Sequence, residues 1–384
     1  MQKRQVLKFA FAGAASLVLT ACGGEKDAAA GSAQPAEKKD AAAAQTTAGG
    51  KLKVAFVYVS PANEEGWSTQ HELARQAVQE KFGDKIETKF IESVPENADA
   101  ERVLRDLANQ GNKLIFATSF GYMNSVMKVA KEFPGVKFEH ATGYKTAENV
   151  SNYSGRFYEA RYLAGKLAGA TTKTNVIGYV AALPIPEVLQ GINAFTLGVR
   201  SVNPKAEIRV VWTSAWYDPG KEADATKSLI GQQCDVITHH TNSSAVAATS
   251  EEAKIPVISY NTSMKKAAPT MLVGAVIHQW ADYYADRVQA VLDGTWTKQS
   301  VWGGFPKHMV ALVDITSKLD PKVAADIAES QKKLEAGEIH PFTGPIRSND
   351  GREVLKAGEK ATDEQLLTMD YLVEGVVGKL PQAG

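Results

Sequence analysis

From Leu52 onward the chain alternates between two kinds of apolar spacing. Short, nearly continuous runs predict strands: 52–59 (LKVAFVYV), 86–91, 114–118 (LIFAT), 137–141, 175–181 (NVIGYVA), 207–213, 235–239, 256–260 and 271–277 (MLVGAVI). Runs apolar on both faces suit strands covered on both sides. Between them, apolar residues recur at helical spacing: Leu73, Ala77, Val78 and Phe82 in 69–82, Val103, Leu104, Leu107 and Ala108 in 99–110, and Val188, Leu189, Ile192, Phe195 and Val199 in 186–201. This alternation predicts right-handed crossovers and parallel sheets, an α/β fold.

The alternation comes in two blocks, 51–170 and 174–278, so two similar lobes are expected, each a parallel sheet flanked by helices. The stretch 171–174 is the expected first crossing between them. In open α/β sheets ligands bind beyond the carboxyl ends of the strands. Two such sheets facing one another make a cleft lined by strand-end loops.

The N-terminus is patterned differently. Lys3 and Arg4 precede an apolar, small-residue run over 7–21, as in a signal peptide. That run is too short for a membrane-spanning helix. Leu19-Thr20-Ala21-Cys22 has the form of a bacterial lipobox, which predicts cleavage before Cys22 and lipid attached to it. Several acyl chains on one residue anchor stably where one would not. Residues 23–50 carry no large apolar side chain, so they are expected to form a disordered tether. Its ends would lie on the order of 30 Å apart. No later apolar stretch approaches a spanning length, so the membrane is reached only through the anchor.

Composition narrows the function. The formal net charge is zero, and Lys and Arg form no long stripe, which argues against nucleic acid. Cys234 has no partner but Cys22, so a buried structural thiol is expected rather than a disulfide. The seven histidines are scattered; His239 and His240 are adjacent, and on a strand they would face opposite sides. No metal or cofactor is expected, and no G-x-S-x-G, G-x-G-x-x-G or Walker-type motif is present. The chain reads as a binder, not an enzyme.

The strand-end loops supply the candidate chemistry. Ser60 to Ser68 contains Trp67 at a helix start, where a planar ring can stack on a planar ligand, and the pair Glu64-Glu65, whose carboxylates are expected in solvent. Ser119-Phe120-Gly121-Tyr122 offers a hydroxyl, a ring and a glycine, and Thr142-Gly143-Tyr144 follows the next strand. The second block offers 182–184, Ala215-Trp216-Tyr217-Asp218, Thr241-Asn242-Ser243 and Asn261-Thr262. Aromatics and short polar groups of this kind suit a flat, polar, mostly uncharged solute.

Several stretches together resemble the basic membrane protein (Bmp) family of ABC-transporter solute-binding lipoproteins, which includes purine-nucleoside binders. They are 177–186 (IGYVAALPIP) with Asn193-Ala-Phe195 and Val202-Asn-Pro204, then 157–165 (FYEARYLAG), 216–223 (WYDPGKEA) and 290–296 (AVLDGTW). The resemblance implies a type I periplasmic-binding-protein fold with a multi-strand hinge crossing near 172, 278 and 300. The N-terminal lobe would comprise 51–172 plus about 279–300, and the C-terminal lobe 173–278 plus about 301–384. By position, Trp67 matches the first-lobe stacking aromatic and Trp216 or Tyr217 the second. Ser119, Tyr144, Asn242, Asn261 and His278 fall where polar contacts are expected. Nucleoside binders carry acidic residues in the first strand-end loop and after the strand matching 256–260. Here those loops read Ser60-Pro61-Ala62-Asn63 and Tyr260-Asn261, which favours a free, adenine-like base over a nucleoside.

The expected mechanism is hinge closure over the solute. A monomer on the periplasmic side of the cell envelope would then dock on a separate permease driven by a separate ATPase. The alternatives are a sensory receptor of the same fold, a binder of a non-purine solute such as a sugar, and a nucleoside hydrolase using Glu64 and Glu65.

Overall fold

The computed structural model describes residues 50–381; the signal segment, Cys22 and most of the tether lie outside the described residues. In the first lobe, β1 (Leu52–Val57), α1 (Trp67–Phe82), β2 (Ile86–Ile91), α2 (Ala98–Asn109), β3 (Leu114–Ala117), α3 (Met123–Glu132), β4 (Lys137–Ala141) and β5 (Val150–Gly155) follow in order. The second lobe is built from α4 (Phe157–Thr171), β6 (Val176–Ala181), α5 (Pro186–Val202), β7 (Glu207–Trp212), α6 (Pro219–Gly231), β8 (Val236–His240), α7 (Ala245–Ala253), β9 (Val257–Asn261) and β10 (Leu272–His278). The chain then returns through α8 (Ala281–Leu292) and β11 (Ser300–Gly303), and crosses again to β12 (Val310–Val313) and α9 (Pro321–Glu335). A tail carries β13 (Ile346–Arg347), β14 (Glu353–Leu355), α10 (Asp363–Leu367) and β15 (Val376–Val377).

The first sheet runs β11-β5-β4-β3-β1-β2, all parallel. The second runs β12-β10-β9-β8-β6-β7-β15, parallel except where β12 lies antiparallel to β10. Helices cover both faces of each sheet, as continuously apolar strands require. One apolar cluster packs α2 and α3 on the first sheet, and another packs α6 and α7 on the second. A third runs unbroken from Phe56 and Phe116 through Trp67, Phe157 and Trp280 to Phe195 and Val376, joining the lobes through the hinge. Cys234 is buried in the second lobe, where burial pushes its thiol up to about 11.

The chain crosses between sheets at 155–157, 278–281 and 303–310. The first crossing lies upstream of 171–174, because α4 packs against α5 and β10 rather than on the first sheet. Glycine makes this possible. A Cβ on Gly165 would lie 2.0 Å from the Phe195 carbonyl oxygen, and one on Gly198 2.0 Å from that of Tyr162. Such contact binds α4 to α5 closely enough to move the boundary by a whole helix. The crossings are cross-braced: Arg156 N donates to Gly303 O at 2.7 Å, and its guanidinium lies 4.1 Å over the Trp302 ring. The same guanidinium grips Asp363 of the tail through two bonds of 2.8 and 2.6 Å.

Candidate functional site

Strand carboxyl ends from both sheets meet at one cavity with an empty volume of about 290 Å³. The first lobe lines it with Trp67, Ser119, Phe120 and Thr142, and the second with Glu187, Trp216, His240, Asn242, Tyr260 and Asn261.

Trp67 opens α1 immediately after the loop that follows β1. Its indole N–H donates to Thr118 O at 2.6 Å, and its ring stands edge-on to His71, Phe157, His278 and Trp280. With 6% of its surface exposed, it is a fixed platform. Ser119 donates its hydroxyl to Glu96, and its carbonyl accepts from His140 Nε2 at 2.7 Å. Burial lowers the His140 ring to about 4, so it stays neutral in that bond.

In the second lobe, Asp218 caps α6 by accepting from Lys221 N, with Pro219 preset for the first turn. That cap orients the Trp216-Tyr217 loop. Glu222 ties it to the next one, accepting from Asp218 N at 3.2 Å and Ser243 N at 3.3 Å, while Asn242 N donates to Trp216 O at 2.8 Å. Asn261 donates through Nδ2 to Thr241 O at 2.9 Å, which leaves its Oδ1 buried without a protein partner. The buried Tyr260 hydroxyl is likewise unpartnered. Thr142 and Asn261 hold φ of 59° and 74°; positive values at non-glycine residues gather at functional sites.

The cleft is closed. Gly66 approaches Asn242 so tightly that a Cβ would lie 1.9 Å from the Asn242 carbonyl oxygen. The Glu65 carboxylate accepts from Lys266 N at 3.3 Å and Ala267 N at 3.1 Å, and its carbonyl accepts from the Thr262 hydroxyl at 2.7 Å. Tyr217 donates its hydroxyl to Glu64; burial and that carboxylate push the phenol upward. The two carboxylates expected in solvent are therefore latches between the lobes.

Trp67, Ser119, Phe120, Trp216, Asn242 and Asn261 all meet at the cavity. Tyr144 does not; it is 69% exposed, because the positive φ at Thr142 turns the chain outward. Tyr217 is occupied with Glu64 at the rim. His278 lies behind the wall, stacked on Phe157 at 4.3 Å and edge-on to Trp67. The sequence reading named Thr142, His240 and Tyr260 without assigning any of them to the ligand, and passed over Glu187. His240 and Tyr260 lie within the ends of their strands rather than in the loops, and the first-turn acid of α5 reads as ordinary dipole compensation.

Among the described residues, no group of His, Cys, Asp and Glu is arranged to hold a metal ion, and no helix is long and apolar enough to cross a membrane.

The sequence model for ABC transporter substrate-binding proteins of the PnrA-like (Bmp) family matches residues 51–346. A purine-binding protein of Brucella abortus is 50% identical over 332 residues, covering 86% of this chain and 95% of the relative. A Haloferax volcanii protein, provisionally assigned to glucose binding in an ABC transporter, is 37% identical over 344 residues, covering 88% and 85%. The crystal structure of a solute-binding protein of an ABC transporter system from Aeropyrum pernix superposes with a TM-score of 0.64 at 16% identity, covering 83% of this chain and 98% of that one, a likeness of fold alone. With its two-lobed α/β architecture and inter-lobe cavity, this chain belongs to the Bmp family, the extracytoplasmic substrate-binding proteins of ABC transporters.

Proposed function

We propose that the chain captures a free purine base, adenine-like, between its lobes and presents it to an ABC permease. What carries this is one observation: aromatic residues from both lobes, Trp67 and Trp216, line a closed cavity whose polar groups are mostly uncharged. Stacking of a base on an aromatic ring is worth about 1–3 kcal/mol. The identity shared with the Brucella purine-binding protein supports the same ligand class. Trp67, Ser119, Phe120, Trp216, Asn242 and Asn261 would touch the base. Tyr217 would act through closure, and Tyr144 and His278 would stay out of contact.

Closure brings the Glu64 and Glu65 latches together, and the closed form docks on a permease coupled to a separate ATPase. Cys22 would carry the lipid that holds the protein at the membrane, and the binder would work as a monomer.

Isothermal titration of the purified chain with adenine, guanine, adenosine and glucose tests the ligand. Saturable binding of adenine, with adenosine at least about tenfold weaker, is expected. Binding of glucose with no response to any purine would overturn the ligand while leaving the family and fold intact.

A further inference from the structure

Among the described residues, Glu187 is the only acidic side chain lining the cavity. It follows Pro186 in the first turn of α5, and its side chain keeps 21% exposure. Among the described residues its carboxyl makes no hydrogen bond and meets no Lys or Arg; His240 Nε2 lies 3.6 Å away. That imidazole is held neutral by burial and by the Arg161 cation, which lies 3.7 Å over the far partner, the Tyr260 ring. Burial pushes the Glu187 carboxyl up to about 8, so near neutrality it is a carboxylic acid, one donor beside one acceptor.

Three more side-chain atoms on residues lining the same cavity lack protein partners: His240 Nδ1, Asn261 Oδ1 and the Tyr260 hydroxyl. Asn261 has its amide N–H₂ engaged at Thr241 and therefore offers Oδ1, an acceptor, while the Tyr260 hydroxyl is free to give or take. Buried polar groups are rarely left unpaired, so unpartnered ones lining a ligand cavity point to the ligand.

The geometry points to Glu187 as the specificity-determining residue: we propose that its carboxyl pairs with the amine-and-ring-nitrogen edge of a 6-aminopurine, while Asn261 Oδ1 accepts the ring N–H that a free base retains. This rests on the purine reading above and adds which edge is read and by what. A neutral acid matches adjacent donor and acceptor atoms, whereas two adjacent donors would call for a carboxylate. A nucleoside carries sugar where Asn261 Oδ1 would accept the ring N–H.

Calorimetric titration with adenine and with unsubstituted purine, which keeps the rings and the ring N–H but lacks the amine, tests it. Wild type is expected to prefer adenine by at least about tenfold. Glu187→Gln keeps a donor beside an acceptor and should bind adenine within about threefold of wild type. Glu187→Leu should weaken adenine about thirtyfold and purine, which keeps the ring-nitrogen acceptor but not the amine, only about fivefold. If the leucine variant does not fold, Glu187→Asp, which withdraws the carboxyl by one methylene, should weaken adenine about tenfold and purine only about threefold. Equal losses for both ligands would make Glu187 structural and overturn the proposal, as would loss of adenine in Glu187→Gln or its retention in Glu187→Leu. Wild type that binds neither ligand overturns the purine reading itself, a separate outcome that takes this proposal with it.

Discussion

The two walls of the cleft are built on different principles. On the first-lobe wall the indole, hydroxyl and imidazole groups are engaged within the lobe, Trp67 with Thr118, Ser119 with Glu96 and His140 with Ser119, which leaves only the Thr142 hydroxyl without a side-chain bond among the described residues. Behind Trp67, His71 stacks on Trp280 at 5.3 Å and 4°, so the platform is braced by further rings. On the second-lobe wall Trp216 is half-buried, with the His240 ring 6.3 Å away, while Asn261 and Tyr260 hold unpartnered atoms. One wall supplies a preformed surface; the other supplies the groups that read a solute and close upon it. Shape and chemical selectivity are thus divided between lobes that separate when the hinge opens.

That division is open to challenge by substitution. Trp67→Ala should have the largest effect, removing a platform and a core residue together. We expect a loss of about 3–5 kcal/mol in stability by chemical denaturation of the ligand-free protein, and more than about a hundredfold loss in affinity by titration. Gly66→Ala should come next. The added Cβ meets Asn242 only when the lobes close, so affinity should fall about a hundredfold, ligand-induced compaction in small-angle scattering should vanish, and the denaturation midpoint should hold. An unaltered affinity would mean that this contact is not part of the bound state. Trp216→Ala should weaken binding about tenfold, in line with the worth of one stacking face, and move stability by less than about 1 kcal/mol. A stability loss as large as that of Trp67→Ala would erase the contrast between the walls. The smallest effect is expected from Glu65→Gly. Glu65 has φ of 50°, which glycine adopts freely, so the change removes the latch without straining the loop. Dissociation, followed by stopped flow, should quicken about five- to tenfold with little change in the association rate.

Strands β1–β4 and β6–β10 were legible from the sequence as apolar runs; β11, β12 and, most instructively, β5 were not. Its VSNYSG reads as a loop, yet Ser151, Asn152 and Tyr153 are buried because neighbours satisfy their polar atoms. Arg287 and Gln299 N both bond Ser151, and Ser300 bonds Asn152. The lobe boundary was misread for a related reason. The resemblance carries the α4 stretch, but only the close approach of Gly165 to Phe195 says which lobe it joins. At the site, the strand-end rule locates residues along the chain and is silent on their direction. It therefore could not separate Thr142, which faces the cavity, from Tyr144, which leaves it. It also could not show that Glu64 and Glu65 find partners 153 and more than 190 residues away in sequence.

The unpartnered atoms of the second wall bear on transport economy. A buried polar group without a partner destabilises the state that contains it by about 1–3 kcal/mol. Asn261 Oδ1 and the Tyr260 hydroxyl both incur that penalty when the lobes shut on nothing, and a solute that satisfies them removes it. The shut conformation is then a faithful sign of cargo. A permease that recognises the shut outline would meet few unloaded carriers, and ATP hydrolysis would stay coupled to delivery without a separate proofreading step.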